Sequence, residues 1–165
     1  MGKMINGRIS SRRNGAYKAT PYMRKIMPTL FKRPQYKKHA VDLGCGNLRN
    51  SYYTNQVWKF SVTPYDMAGD YGNKLLLGHD RISRETNSVH LILCNYLLMF
   101  LTEEEREQSA EEITRIAKKN AHLIVELYEV KTGLPYVQEE VEELFLSRGW
   151  SFVHRAKNHF TMVKS

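Results

Sequence analysis

Two acids and two glycines stand in an arrangement suited to holding a sugar. Residues 42–46 read Asp42-Leu43-Gly44-Cys45-Gly46, and Asp66 follows twenty residues after Gly46. Glycines let the backbone turn tightly and let a ligand approach where a Cβ would otherwise stand. A carboxylate about twenty residues beyond such a turn, at the end of the next strand, can accept both hydroxyls of a ribose. A dinucleotide site would continue to a third glycine, G-x-G-x-x-G, bringing a helix N-terminus against the pyrophosphate. Arg49 occupies that position and would crowd the approach. The pattern favours an adenosine-type ligand without phosphates.

A second group of candidates follows a strongly apolar run. Cys94-Asn95-Tyr96-Leu97 lacks the paired prolines of an Asp/Asn-Pro-Pro-Tyr/Phe amine-methylation motif, and Leu93 precedes Cys94 where a Pro-Cys nucleophile would need proline. Cys94 therefore reads as a small buried residue rather than a nucleophile. Asn95 and Tyr96 are candidates for orienting a substrate, as are Tyr22 and, beside Glu126, Tyr128. A structural role is the competing reading for each. No general base is evident, so the catalytic residue is open. His90 alternates into a strand and reads as a core residue, His154 and His159 have no metal-like spacing, and no metal site is expected.

Several elements must position these residues. Met23, Ile26, Met27, Leu30 and Phe31 recur at helical spacing, which predicts a helix over 22–31 ended by Pro34. His39 to Leu43 reads as a buried strand ending at the glycine turn. A helix is expected over 51–58, a strand over 60–65 closing on Asp66, and a weak strand over 74–77. Ser88 to Cys94 predicts a strong strand. Thr102-Glu103-Glu104-Glu105 has the form of a capping box and starts a helix running to Lys119-Asn120. A strand over 121–127, a helix opened by Pro135 and stopped by Gly149, and strands over 150–155 and 160–164 complete the chain. Alternating strands and helices closing on two adjacent strands predict an α/β doubly wound, mostly parallel sheet of seven strands with a C-terminal antiparallel hairpin.

From Val41 to Ser165 this chain resembles class I S-adenosylmethionine-dependent methyltransferases. Within them, Asp-Leu-Gly-Cys-Gly-Asn-Leu-Arg-Asn-Ser at 42–51, Val62-Thr63-Pro64-Tyr65-Asp66 and Leu98-Met99-Phe100-Leu101 are similar to the tellurite-resistance methyltransferase group. The resemblance implies S-adenosylmethionine as cofactor and S-adenosylhomocysteine as product. Asp42, Gly44 and Gly46 would line the methionine and ribose, with Cys45 and Asn47 in the same loop. Asp66 would hold the ribose hydroxyls with Met67 beside it. Asp80 would stand near the adenine amine, and Cys94 and Asn95 would face the transferable methyl. Two departures stand out: Leu48 replaces a glycine usual in that subgroup, and the stretch from Asp80 to Ser88 is too short for the usual helix between strands three and four.

Length and charge set the remaining bounds. The chain has 165 residues, 42% of them apolar, and a formal net charge of +8. Residues 1–41 hold eleven Lys or Arg and no acid; the rest holds fourteen bases against seventeen acids. The expected division is a basic leader or lid, 1–38, before a methyltransferase domain, 39–165. Residues 1–16 are glycine-, serine- and arginine-rich and aperiodic, and read as flexible or loosely docked. Tyr17, Tyr22, Phe31 and Tyr36 interleave with the cations, a composition suited to stacking bases and holding phosphates. The partner is then a nucleic acid or other polyanion, or else a small-molecule acceptor with the leader only closing the cofactor pocket. Two cysteines without metal or disulfide spacing fit a reducing compartment, and cytoplasm, no membrane segment and a monomer or small homo-oligomer are expected. Two alternatives to the enzyme stay open: a silent nucleic-acid- or partner-binding protein, and an enzyme that cleaves S-adenosylmethionine.

Overall fold

The computed structural model describes residues 4–5, 8–9, 18–69, 71–129 and 136–165. The expectation of a loosely docked segment at 1–16 falls largely outside these. Within it, β1 (Met4–Ile5) and β2 (Arg8–Ile9) form a short antiparallel ribbon. By internal contacts the chain divides into two compact units, Met1–Leu75 and Leu76–Ser165. Their strands belong to one seven-stranded mixed sheet.

In the first unit, α1 (Pro21–Leu30) starts at Thr20, whose side chain accepts the Met23 N–H. Proline at the first helical position costs no hydrogen bond there and presets φ. Tyr22, Met23, Ile26 and Met27 face inward, the apolar face foreseen from the spacing. The helix stops at Leu30, short of Pro34, because Phe31 turns to extended backbone. There its ring packs edge-on against Phe60, with centroids 5.2 Å apart, and near Trp58. Strands β3 (His39–Leu43), β4 (Ser61–Asp66) and β5 (Asn73–Lys74) lie parallel in the lateral order β5-β4-β3. Between β3 and β4 runs α2 (Arg49–Gln56). It begins and ends two residues earlier than expected, since Leu48 donates to the Cys45 carbonyl and closes the turn at once. The weak strand expected over 74–77 is paired only at Asn73 and Lys74.

The second unit opens with residues 76–88, which contain no helix. Arg115 braces this connection, donating to the Ile82 and Arg84 carbonyls at 2.9 and 3.0 Å, while Glu112 accepts the Ile82 N–H at 2.8 Å. Burial pushes the Glu112 carboxyl up, but Arg115 and the Ile82 amide outweigh it and hold it below its ordinary value. Strand β6 (Val89–Asn95) is buried on both faces, with Leu91, Ile92, Leu93 and Cys94 fully enclosed. Such two-sided burial is the mark of a parallel interior strand.

After a short 3₁₀ turn, Leu98–Phe100, helix α3 (Glu103–Ile116) begins at the capping box of Thr102 and Glu105. It ends at Ile116 rather than Asn120. Lys164 reaches the Thr114 and Ala117 carbonyls at 2.9 and 2.8 Å, and a cation suits the negative end of a helix. Strand β7 (Ala117–Glu126) follows without a connecting residue. Its regular pairing with β6 starts at His122, after an irregularity spanning 118–121, so the strand expected over 121–127 corresponds to the regular part. Pro135 lies outside the described residues; α4 is Gln138–Leu146. The antiparallel hairpin is β8 (Trp150–Ala156) and β9 (His159–Lys164), and the lateral order of this unit is β6-β7-β9-β8.

Candidate functional site

The first cluster is built where β3 and β4 end. Gly44 and Gly46 take φ of +71° and +54°, left-handed conformations that glycine adopts without strain. The amides of Gly44 and Cys45 both donate to the Tyr65 carbonyl at 2.9 Å, tying the loop to β4. Asp66, the last residue of β4, accepts the Gly46 N–H at 3.0 Å and the Ala68 N–H at 3.2 Å. Asp42, in β3, accepts the Ser51 hydroxyl of α2 at 2.6 Å. Both carboxylates are nearly sealed, at 2% and 3% exposure.

Electrostatics follow from that burial. Desolvation pushes the Asp42 carboxyl up to about 6; the Ser51 hydrogen bond opposes the rise and Asp66's charge adds to it. Burial and the same two acids push the Cys45 thiol far above its ordinary range. The thiolate, which is the reactive form, is then suppressed. A Cβ placed on Gly46 would meet nothing within 4 Å, so the loop faces open space there. Two buried acids beside a left-handed glycine turn could hold an adenosine-type ligand bearing positive charge.

Other expected members of this cluster have defined places. Asn47 is buried, and its Oδ1 accepts the Arg49 N–H at 3.2 Å. Met67 is half-exposed, and Tyr22 is buried on the inner face of α1. Residues not singled out from sequence also contribute. Ser51 is one. Asn50 is another, its Oδ1 accepting the Thr20 N–H at 3.0 Å and so joining α2 to the start of α1. Gly72 is the third: a Cβ there would come within 2.8 Å of Cys45 Sγ and 2.9 Å of the Pro64 carbonyl. A glycine in an aperiodic stretch gave no sign of that close approach.

The second unit gathers another set. Asn95 ends β6 and pairs in register with Glu126, which ends β7. The Asn95 amide donates to Glu126 Oε2 at 2.6 Å, and the Tyr96 hydroxyl donates to Oε1 at 3.1 Å. Tyr128 packs 5.6 Å from the Tyr96 ring and 5.8 Å from Phe100. The sequence-predicted Asn95, Tyr96 and Tyr128 are thus neighbours, Asn95 and Tyr96 joined through Glu126 and Tyr128 through the Tyr96 ring. Cys94 is fully enclosed. Asp80 is exposed, and its carboxylate accepts the Leu76 N–H at 2.7 Å; the weak strand before it ends at Lys74. Adjacent His79 meets Glu105 at 2.6 Å. Among the described residues, no helix is long and apolar enough to cross a membrane, and no cluster of His, Cys, Asp or Glu could hold a metal ion.

No family model and no curated protein matches the chain. Solved structures match its fold. A SAM-dependent methyltransferase from Aquifex aeolicus is 19% identical, with a TM-score of 0.64 over 86% of this chain and 87% of that one. A TehB-like SAM-dependent methyltransferase from Corynebacterium glutamicum is 18% identical, with a TM-score of 0.62 over 86% and 83%. A Burkholderia thailandensis 1,6-didemethyltoxoflavin-N1-methyltransferase, solved with bound 1,6-didemethyltoxoflavin and S-adenosylhomocysteine, is 13% identical, with a TM-score of 0.67 over 93% and 80%. Identities this low speak for architecture, and fold alone does not carry function. What the chain shares with all three is the class I methyltransferase fold.

Proposed function

We propose that the chain is an S-adenosylmethionine-dependent methyltransferase whose cofactor is held by the Asp42–Asn47 loop and Asp66. One observation carries this reading: two buried carboxylates meet across a left-handed glycine turn, and Asp42 is held near 6. Two acids so placed repel phosphates and favour a cation. S-adenosylmethionine joins a ribose to an ammonium and a sulfonium and has no phosphate. When bound, it supplies a methyl group activated by the sulfonium. In this reading Asp66 accepts the ribose hydroxyls, Asp42 faces the positive charge, and the glycines give the ligand room. Methyl transfer by displacement asks the protein chiefly to align its reactants. The resemblance in motif to the tellurite-resistance group supports the same assignment.

Isothermal titration tests it. S-adenosylmethionine should bind, and Asp66→Ala should weaken binding at least tenfold, about 1.4 kcal/mol. Absence of binding to the intact chain overturns the reading; unchanged affinity in the variant overturns the site.

A polyanionic partner is a second reading, supported by exposed bases. Lys18, Arg24, Lys25, Lys32, Arg33, Lys37 and Lys38 are exposed together with Tyr36, and no acid lies among residues 1–41. In this reading residues 1–38 are a basic leader to the 39–165 domain. Cations that displace counterions give affinity that falls linearly with log salt. Single-stranded RNA should show that slope with the full chain; a flat salt response discards the reading.

A further inference from the structure

The ends of β6 and β7 hold features that the fold does not require. Asn95 is 8% exposed, and its Oδ1 is buried with no hydrogen-bond partner. Its orientation is set, because the amide nitrogen must face the Glu126 carboxylate, which accepts it at 2.6 Å. A buried acceptor left unmatched is costly, and such atoms in native proteins call for an explanation. Tyr96 adds backbone strain, with a φ of +59°, a left-handed conformation that is costly for a bulky residue. Its hydroxyl bond to Glu126, at 3.1 Å, is longer than that of Asn95. Beside these, Tyr128 and Phe100 are 40% and 41% exposed, their rings in edge contact with each other. An orphaned acceptor, a buried carboxylate, a strained tyrosine and half-open aromatic faces thus occur together at the C-terminal end of two parallel strands, where ligands of α/β sheets bind.

We propose that Asn95, Glu126, Tyr96, Tyr128 and Phe100 form the methyl-acceptor subsite, and that it takes a planar nitrogen heterocycle bearing an exocyclic amine. The assignment of this ligand as the methyl acceptor rests on the methyltransferase reading above. An amine has two hydrogens to give. Asn95 Oδ1 accepts one, and Glu126 accepts the other once the Tyr96 hydroxyl yields its place. A carbonyl at the same ring position would face two acceptors and be repelled. The exposed rings of Tyr128 and Phe100 supply apolar faces for a flat ligand. Glu126 and Asn95 therefore select for the amine, and the aromatic pair selects for planarity.

The test is titration of the full chain, saturated with S-adenosylhomocysteine, with 9-methyladenine and cytidine against uridine. At least one of the two amines should bind at least tenfold more tightly than uridine. Glu126→Gln should erase that preference, and Tyr128→Ala should weaken the amine at least tenfold. Tyr128 is half-exposed, so that variant reads the subsite even where a change at buried Glu126 prevents folding. S-adenosylhomocysteine affinity should be unchanged in both. An oligocytidylate binding more tightly than cytidine identifies a base within nucleic acid as the source; equal or weaker binding identifies a free small molecule. No preference for either amine, or a preference intact in the folded variants, overturns the proposal while the methyltransferase reading stands. If S-adenosylhomocysteine itself fails to bind, that reading falls, and the same titration without it still tests the heterocycle site.

Discussion

At Asp42, burial, a Ser51 hydroxyl and the charge of Asp66 act on one carboxylate. Its proton is held more tightly in the folded state than in the unfolded chain, where the ordinary value is 3.8. Its favourable contribution is therefore full below pH 3.8 and is lost as pH climbs through about 6. The gap corresponds to about 3 kcal/mol of destabilisation at neutral pH. Asp42→Asn keeps an acceptor for Ser51 and removes the charge. Denaturant unfolding of the ligand-free protein should show the variant more stable by as much as ~3 kcal/mol at pH 7.5, with the gain shrinking toward pH 4. S-adenosylmethionine affinity should fall at least tenfold in the same variant. A stability difference that ignores pH would contradict the buried-charge account.

At the scale of elements, the start of α2 bears a similar tension. Leu48 is its N-cap, at φ +73° and without a capping side-chain hydrogen bond. A branched residue held left-handed costs about 1–2 kcal/mol, and glycine is free of that cost. Leu48→Gly should raise stability by about 1 kcal/mol in thermal or denaturant unfolding; a loss would mean that Leu48 packing outweighs its backbone. The resemblance flagged a glycine at this position from sequence alone, whereas the left-handed φ became evident only in the fold. Legibility differed in the same way elsewhere. His39–Leu43, Val89–Asn95 and the Thr102–Glu105 box were readable because period and capping are local signals. The true end of α3 was not, since Lys164 caps it from almost fifty residues away. Nor was Phe31's exit from α1, which answers to Phe60 and Trp58. In the candidate site, spacing singled out Asp42, Asp66 and the glycines, which the fold brings together. Glu126 between Asn95 and Tyr96, and Gly72 against Cys45, depend on strand register and close packing that no local pattern encodes.

Across the molecule, charge is distributed unevenly. The first 41 residues carry all of the net positive charge, while the remainder is slightly acidic. Polyanion affinity should therefore track the leader, and cofactor affinity should not. The second unit has a different kind of coherence. Helix α3 passes into β7 without a spacer, β7 pairs with β9, and Lys164 of β9 returns to the helix's last carbonyls. That closed circuit makes partial opening difficult: fraying the helix end exposes Lys164's partners, and peeling β9 removes the cap. Native-state hydrogen exchange should accordingly find the amides of Ile113, Ile116, Leu123–Val125 and Met162 opening with one common free energy, a single cooperative unit. Two separable classes, with the helix exchanging well before the hairpin, would show that the lysine stitch does not bind them together.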